Sequence, residues 1–148
     1  MLRGARPPED KGLPSPKIHH VGIAVESIDD ALPLYEVALG VLPTLKTEVP
    51  SEGVRVAMLT LGDSRIELLE AARADSPITK FLARRGPGLH HIAVRVEDLE
   101  ASIERLRASG RRLVTEEIRG GAEGYRYVFV HPSSAAGVLL ELIEEPRL

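Results

Sequence analysis

The chain has 148 residues, of which 43% are hydrophobic and 28% charged, and its formal net charge is −3. That length supplies one hydrophobic core or two small half-domains, and the near-neutral balance, with no long basic block, excludes a surface built for nucleic acid and leaves a small polar ligand as the better fit. There are no cysteines, which excludes a disulfide framework, a thiolate nucleophile and a zinc-thiolate centre and makes a cytoplasmic setting the simplest expectation.

The apolar runs are too short to span a bilayer, so no membrane association is expected. Residues 1–16 carry proline and charge where a signal peptide needs an apolar core, and read as a flexible extension to a single domain over 17–148. That domain opens with "KIHHVGIAV", a strand composition, and continues with a helix that starts after Ser27, is acidic in its first turn and stops at Gly40. Three short β-prone runs come next, "LPTLKTEVP", "VRVAMLTLG" and "SRIELLEA", separated by the turn residues of "PSEG" and "GDS". A short helix over 76–85 follows, with Ser76 as its cap, Pro77 at the first helical position and Gly86 past its end. The order then repeats. "HHIAVRV" reads as a strand, the stretch after Asp98 as a helix ending at Gly110, and "RRLVTEEI", "YRYVFVHP" and "GVLLELIEE" as three further strands. The expectation is an α+β fold of two tandem βαβββ modules, about 17–72 and 88–146, related by a pseudo-twofold axis and linked by helix 76–85.

Four of the five histidines stand in two doublets, and His20 and His91 lie 71 positions apart. "IELLE" at 66–70 and "LELIE" at 140–144 repeat with an offset of 74. Because side chains alternate along a strand, each residue can be given a face. His20 shares a face with Gly22 and Ala24, and His91 with Ala93 and Arg95, so these two are expected to look into a cavity. His19 goes with Val21, Ile23 and Val25, and His90 with Ile92, Val94 and Val96, so these are expected beneath the covering helices. Glu67 and Glu141 sit between apolar neighbours that face the other way, where a carboxylate is costly unless paired or bound to a cation. A twofold relation would gather His20, Glu67, His91 and Glu141 around one point, in a curved mixed sheet enclosing a metal site. Two imidazoles and two carboxylates suit a divalent transition metal such as Co2+, Mn2+, Ni2+, Zn2+ or Fe2+. His131, before a proline in a turn-rich stretch, reads as structural. "RASGRR" reads as a solvated helix end, and Glu116 and Glu117 as surface residues.

These residues resemble the vicinal oxygen chelate (glyoxalase/bleomycin resistance) superfamily, and within it the methylmalonyl-CoA epimerase family. The resemblance rests on "IHHVGIAV", "IELLEAARADSPITKFLARRGPGLHHIAV" and "HPSSAAGVLLEL" and covers about residues 17–146. It implies a divalent cation, Co2+ or Mn2+ foremost, held by His20, Glu67, His91 and Glu141. It also implies that Glu141 and Glu67 are catalytic, Glu141 as ligand and base and Glu67 as second base or fourth ligand. The implied reaction removes and returns a proton at C2 through a metal-stabilised enolate and so interconverts (2R)- and (2S)-methylmalonyl-CoA. An acyl-CoA is then the small-molecule partner, and a homodimer the implied assembly. Some family members carry a catalytic glutamate at the position of Val56 together with glutamine at that of Glu67; Val56 paired with Glu67 resembles the other branch. Ile118, Glu123 and Tyr125 stand where the family usually has proline, histidine and lysine, departures that bear on the acyl-CoA more than on the metal chemistry. The alternatives are a lactoylglutathione lyase-like metal-dependent isomerase and a metal-free small-molecule binding or resistance protein. The four ligand-type residues disfavour the metal-free reading, and a fourth protein ligand disfavours an Fe2+ ring-cleaving dioxygenase.

Overall fold

Capping side chains delimit the helices by satisfying backbone N–H groups that a first turn leaves unpaired. In the computed structural model, which describes residues 16–121 and 124–146, Ser27 accepts from Asp30 N–H at the start of α1 (Ile28–Leu39). Ser76 accepts from Ile78 N–H at α2 (Pro77–Arg85), and Asp98 from Ala101 N–H at α3 (Leu99–Ala108). α1 stops where Gly40 takes a left-handed φ of 67°, which glycine adopts without a Cβ penalty. None of the described helices is long and apolar enough to cross a membrane.

The strands are β1 (Lys17–Ala24), β2 (Leu45–Val49), β3 (Val54–Leu61), β4 (Ser64–Ala71), β5 (Gly88–Arg95), β6 (Arg119–Gly120), β7 (Arg126–Val130) and β8 (Leu140–Glu144). They form one eight-stranded mixed sheet in the order β2-β3-β4-β1-β5-β8-β7-β6. β1 runs parallel to β4 and β5 parallel to β8, while β1 and β5 meet antiparallel at the centre. Exchanging the two βαβββ modules leaves this order unchanged, so the pseudo-twofold axis passes between β1 and β5. The sheet curls into a half-barrel.

Alternation along the outer strands divides two surfaces. On the helix side, Leu59 and Leu68 pack with Ile28 and Leu32 of α1, and Val128 and Leu142 with Leu99 and Ile103 of α3. A further tie recurs in both modules. Glu70 Oε1 accepts the Ile28 N–H at 2.9 Å, and Glu144 Oε2 accepts the Leu99 N–H at 2.9 Å. Each lies three residues beyond Glu67 or Glu141, hence on the opposite face, and each places a negative charge at the positive end of its module's helix.

One expected strand is much shorter than its sequence implied. In "RRLVTEEI" only Leu113 bridges to Val130, supported by Val114 N–H to Phe129 O and His131 N–H to Arg112 O. Thr115, Glu116 and Glu117 then leave the sheet, and pairing resumes only at β6. This trio offers no apolar side chain to bury, and Arg107 holds both the carbonyl and the carboxylate of Glu116 outside the sheet. Apart from Pro16, the extension expected at 1–16 lies outside the described residues, as does Glu123.

Candidate metal centre

Alternation turns Arg65, Glu67 and Leu69 of β4, and Glu141 and Ile143 of β8, onto the concave face, where they line a cavity of about 510 Å³. On the central strands His20 stands opposite Ala93, and His91 opposite Gly22. The small partners make room for the rings: a Cβ at Gly22 would overlap the His91 imidazole. His20 Nε2 and His91 Nε2 are 2.9 Å apart, and Glu141 Oε2 is 3.2 Å from each. Glu67 approaches from the other side, its Oε2 3.5 Å from His20 Nε2 and its Oε1 3.8 Å from His91 Nε2. His20, Glu67 and His91 thus form a buried or half-buried group with the spacing of metal ligands. Donors bound at about 2.0–2.2 Å to one tetrahedral cation stand roughly 3.3–3.6 Å from one another, which these distances bracket. Glu141 Oε2 is also buried and faces both imidazole Nε2 atoms, so its charge has to be met there by an imidazole proton or by a cation. The cluster could hold a metal ion.

His19 and His90 are not beneath the helices. The β1–β5 register shifts between Ile18 and His20 and again between Gly22 and Ile23, which makes His19 the extra residue of one strand and His90 that of the other. A β-bulge breaks alternation, so both imidazoles enter the cavity. His19 Nδ1 lies 2.7 Å from His20 Nδ1, and His90 Nδ1 lies 2.9 Å from His91 Nδ1. Ile23 and Val25 do pack beneath α1 as expected. The one available sequence signal was the doublet itself, since strict alternation would have sent a second imidazole into an aliphatic core. His131 is structural, as expected: its Nδ1 accepts the Ser133 N–H at 3.1 Å in a short 3-10 turn.

Burial, with the charge of neighbouring His20 next, lowers His19 to about 4, and burial with His91 lowers His90 to about 4. Both are neutral near pH 7. Burial pushes Glu67 above the usual carboxylate range against the pull of His20 and His91. Burial pushes Glu141 the same way, but the imidazoles of His20 and His91 outweigh it and hold this carboxyl at about 2. For His20, burial acts downward and Glu141 and Glu67 more than compensate, leaving it raised.

The sequence profile of the glyoxalase/bleomycin resistance protein/dioxygenase superfamily matches residues 19–129, which include both doublets and Glu67. The chain belongs to that superfamily. Among its relatives, the human mitochondrial methylmalonyl-CoA epimerase is 35% identical over 127 residues, 85% of this chain and 72% of the relative. The crystal structure of methylmalonyl-CoA epimerase from Mycobacterium tuberculosis superposes with a TM-score of 0.84 at 40% identity, covering 88% of each chain. A variant of Streptomyces coelicolor methylmalonyl-CoA epimerase in complex with 2-nitronate-propionyl-CoA gives a TM-score of 0.85 at 36% identity, covering 89% of this chain and 96% of that one.

In this superfamily member the four-residue cluster is pseudo-symmetric but the cavity around it is not. Register places Met58 opposite Glu67 and Phe129 opposite Glu141, so Val54, Val56 and Met58 of one module correspond to Tyr125, Tyr127 and Phe129 of the other. One wall is aliphatic and the other aromatic. By the offset of 74 that relates the glutamates, Arg65 corresponds to Leu139; both line the cavity, and Arg65 makes no ion pair among the described residues. Arg119 also lines it but is engaged: its Nη1 donates to Glu52 Oε1 at 2.5 Å, and Tyr127 Oη donates to the same oxygen at 2.7 Å. Those bonds tie the β2–β3 turn of the first module to the second module. Sequence reasoning missed Glu52, Arg65, Arg119 and Tyr127, because only strand register shows that they share this space.

Proposed function

We propose that the protein is a divalent-metal-dependent epimerase that interconverts (2R)- and (2S)-methylmalonyl-CoA, with His20, Glu67, His91 and Glu141 as ligands of Co2+ or Mn2+. The observation that carries this reading is the convergence of two imidazole Nε2 atoms and two carboxylates, one buried and one half-buried, from four strands, on one cavity. The epimerases among the relatives support it, as does the acyl-CoA analogue in the complex of the Streptomyces coelicolor enzyme. When bound, the cation supplies Lewis-acid stabilisation of an enolate oxygen, commonly worth several kcal/mol.

Inversion at C2 needs one group to take a proton and another to return one on the opposite face. Glu67 and Glu141 come from pseudo-equivalent strands flanking the β1–β5 pair, which supplies one carboxylate from each module for this work. Glu141, as ligand and base, takes the C2 proton; Glu67, as second base, returns one on the opposite face, and the reverse reaction exchanges the roles. Arg65 supplies the cation that complements the substrate carboxylate on the Glu67 side. Val54, Val56 and Met58 give the methyl group an apolar wall and exclude water from the intermediate.

Incubation with methylmalonyl-CoA in D2O tests the proposal. Deuterium is expected to enter at C2 when Co2+ or Mn2+ is present and to stop entering after chelation. An absence of exchange in the metal-loaded protein, or turnover of a glutathione hemithioacetal in its place, would overturn the reading.

A further inference from the structure

The two histidine doublets share a geometry that ligation alone does not require. In each, an inserted residue turns a second imidazole into the cavity and brings its Nδ1 against the Nδ1 of the neighbour: 2.7 Å for His19 and His20, 2.9 Å for His90 and His91. Four rings therefore run in sequence, His19, His20, His91, His90, joined through Nδ1, then Nε2, then Nδ1. Two neutral imidazoles at such a distance share one hydrogen, so one ring donates and the other accepts. If His20 and His91 offer Nε2 to a cation, each keeps its proton on Nδ1, and the outer ring must accept.

We propose that His19 and His90 are positioning residues: by accepting the Nδ1–H of His20 and His91 they fix the tautomer and ring plane that direct both Nε2 lone pairs at the cluster. Each doublet then holds opposite tautomers, Nδ1–H on the inner ring and Nε2–H on the outer one. The assigned tautomer leaves the His19 Nε2–H without a protein acceptor among the described residues, a cost that orienting the ligand through His20 has to offset. Edge-on packing holds the outer rings in place, His19 against Tyr125 at 5.2 Å and His90 against Phe81 at 4.9 Å. Metal-binding histidines more often give this proton to a carboxylate or a carbonyl. A neutral imidazole orients the ligand without adding charge. Two carboxylates already balance a divalent cation, and further anions behind the histidines would repel an anionic malonyl group.

The inference rests on the metal reading of the site, and its test does not use the acyl-CoA reaction. Protein labelled with 15N-histidine, metal-free and loaded with Zn2+, is examined by two-bond 1H–15N correlation spectra, which report each ring's tautomer. The expected result in the Zn2+-loaded protein is Nδ1–H on His20 and His91 and Nε2–H on His19 and His90; without metal the Nδ1–H assignments stay, and one of His20 and His91 also carries the Nε2–H that their 2.9 Å contact shares. In parallel, Zn2+ affinity is measured for His19→Leu and His90→Leu, which remove the acceptor, and for His19→Asn and His90→Asn, which place an amide oxygen near it. Leucine should weaken Zn2+ binding about 10–100-fold, and asparagine should recover most of that loss. Nδ1–H on His19 or His90, or wild-type affinity in the leucine variants, overturns the proposal. Leucine variants that do not fold leave the decision to the wild-type spectra. If Zn2+ shifts neither His20 nor His91, the metal reading itself fails, and the metal-free tautomers still decide the pairing within each doublet.

Discussion

Gly22 shows how one side chain, or the lack of one, sets the geometry of the centre. The His91 imidazole lies directly over it across the β1–β5 pair, and Ala93 plays the matching part under His20. The sequence showed that Gly22 and Ala24 were small and shared a face with His20; that the space belongs to the histidine of the other module becomes visible only with the antiparallel register. Gly22→Ala should push the His91 ring aside, lower Zn2+ or Co2+ affinity by at least tenfold in a calorimetric titration, and cost about 1–3 kcal/mol in urea unfolding. Unchanged affinity would mean that the ring relaxes without loss. His19 and His90 set a pH dependence of the metal-free fold. Their folded values, about 4, lie below the ordinary 6.5, so between these limits the unfolded chain binds more protons. The stability they contribute is complete above about pH 6.5 and is lost as pH falls toward 4, on the order of 3 kcal/mol for each ring. His20, raised by its carboxylates, acts in the other direction above 6.5. Unfolding free energies between pH 4 and 7 should therefore rise less steeply in His90→Asn than in the wild type. Parallel slopes would contradict the burial argument.

Among the elements, the repeat of strand and helix was legible because "IELLE" and "LELIE" carry two instructions in five residues. One glutamate faces the cavity and the next, three positions on, faces the helix. Reading alternation around Glu67 and Glu141 was sufficient there, since β4 and β8 keep their register with every neighbour. It failed on β1 and β5, where bulges interrupt the count, and in "RRLVTEEI", where β-prone residues flank a trio with nothing to bury. Because Glu144 is buried and lies opposite the cavity, its contribution separates from ligation. Glu144→Ala removes the acceptor for Leu99 N–H and leaves Arg126, 3.5 Å away, without that carboxylate. A loss of about 1.5–3 kcal/mol is expected in denaturant unfolding, with metal affinity unchanged. Glu70→Ala should cost less, since Glu70 is more exposed and also serves Arg55 on the surface. A large drop in metal affinity in Glu144→Ala would show that the helix-side anchor also positions Glu141.

Across the whole molecule, the two modules meet along the β1–β5 pair and, at the rim, through Glu52 with Arg119 and Tyr127. The duplication was readable in sequence, but the unlike walls of the cavity were not, because matching Val56 to Tyr127 or Arg65 to Leu139 requires the pairing register. On the proposed function, the symmetric part supplies a cation with similar donors from both sides, and the unlike walls tell an unsymmetrical substrate apart end from end. The same layout gives the centre a mechanical role. Its candidate ligands come from β1 and β4 of one module and β5 and β8 of the other, so a bound cation joins the modules in the folded state and has no comparable site in the unfolded chain. Free metal at about 100 times its dissociation constant should then stabilise the protein by about 2.7 kcal/mol, a rise of roughly 5–15 °C in Tm. Differential scanning fluorimetry with Co2+ or Mn2+, followed by chelator, checks both the rise and its reversal. His20→Ala and Glu141→Gln, altered in different modules, should each abolish the metal-dependent part while leaving a folded metal-free protein. If either retained the full increment, the cation would be held within one module, and the cluster would not be the joint between them.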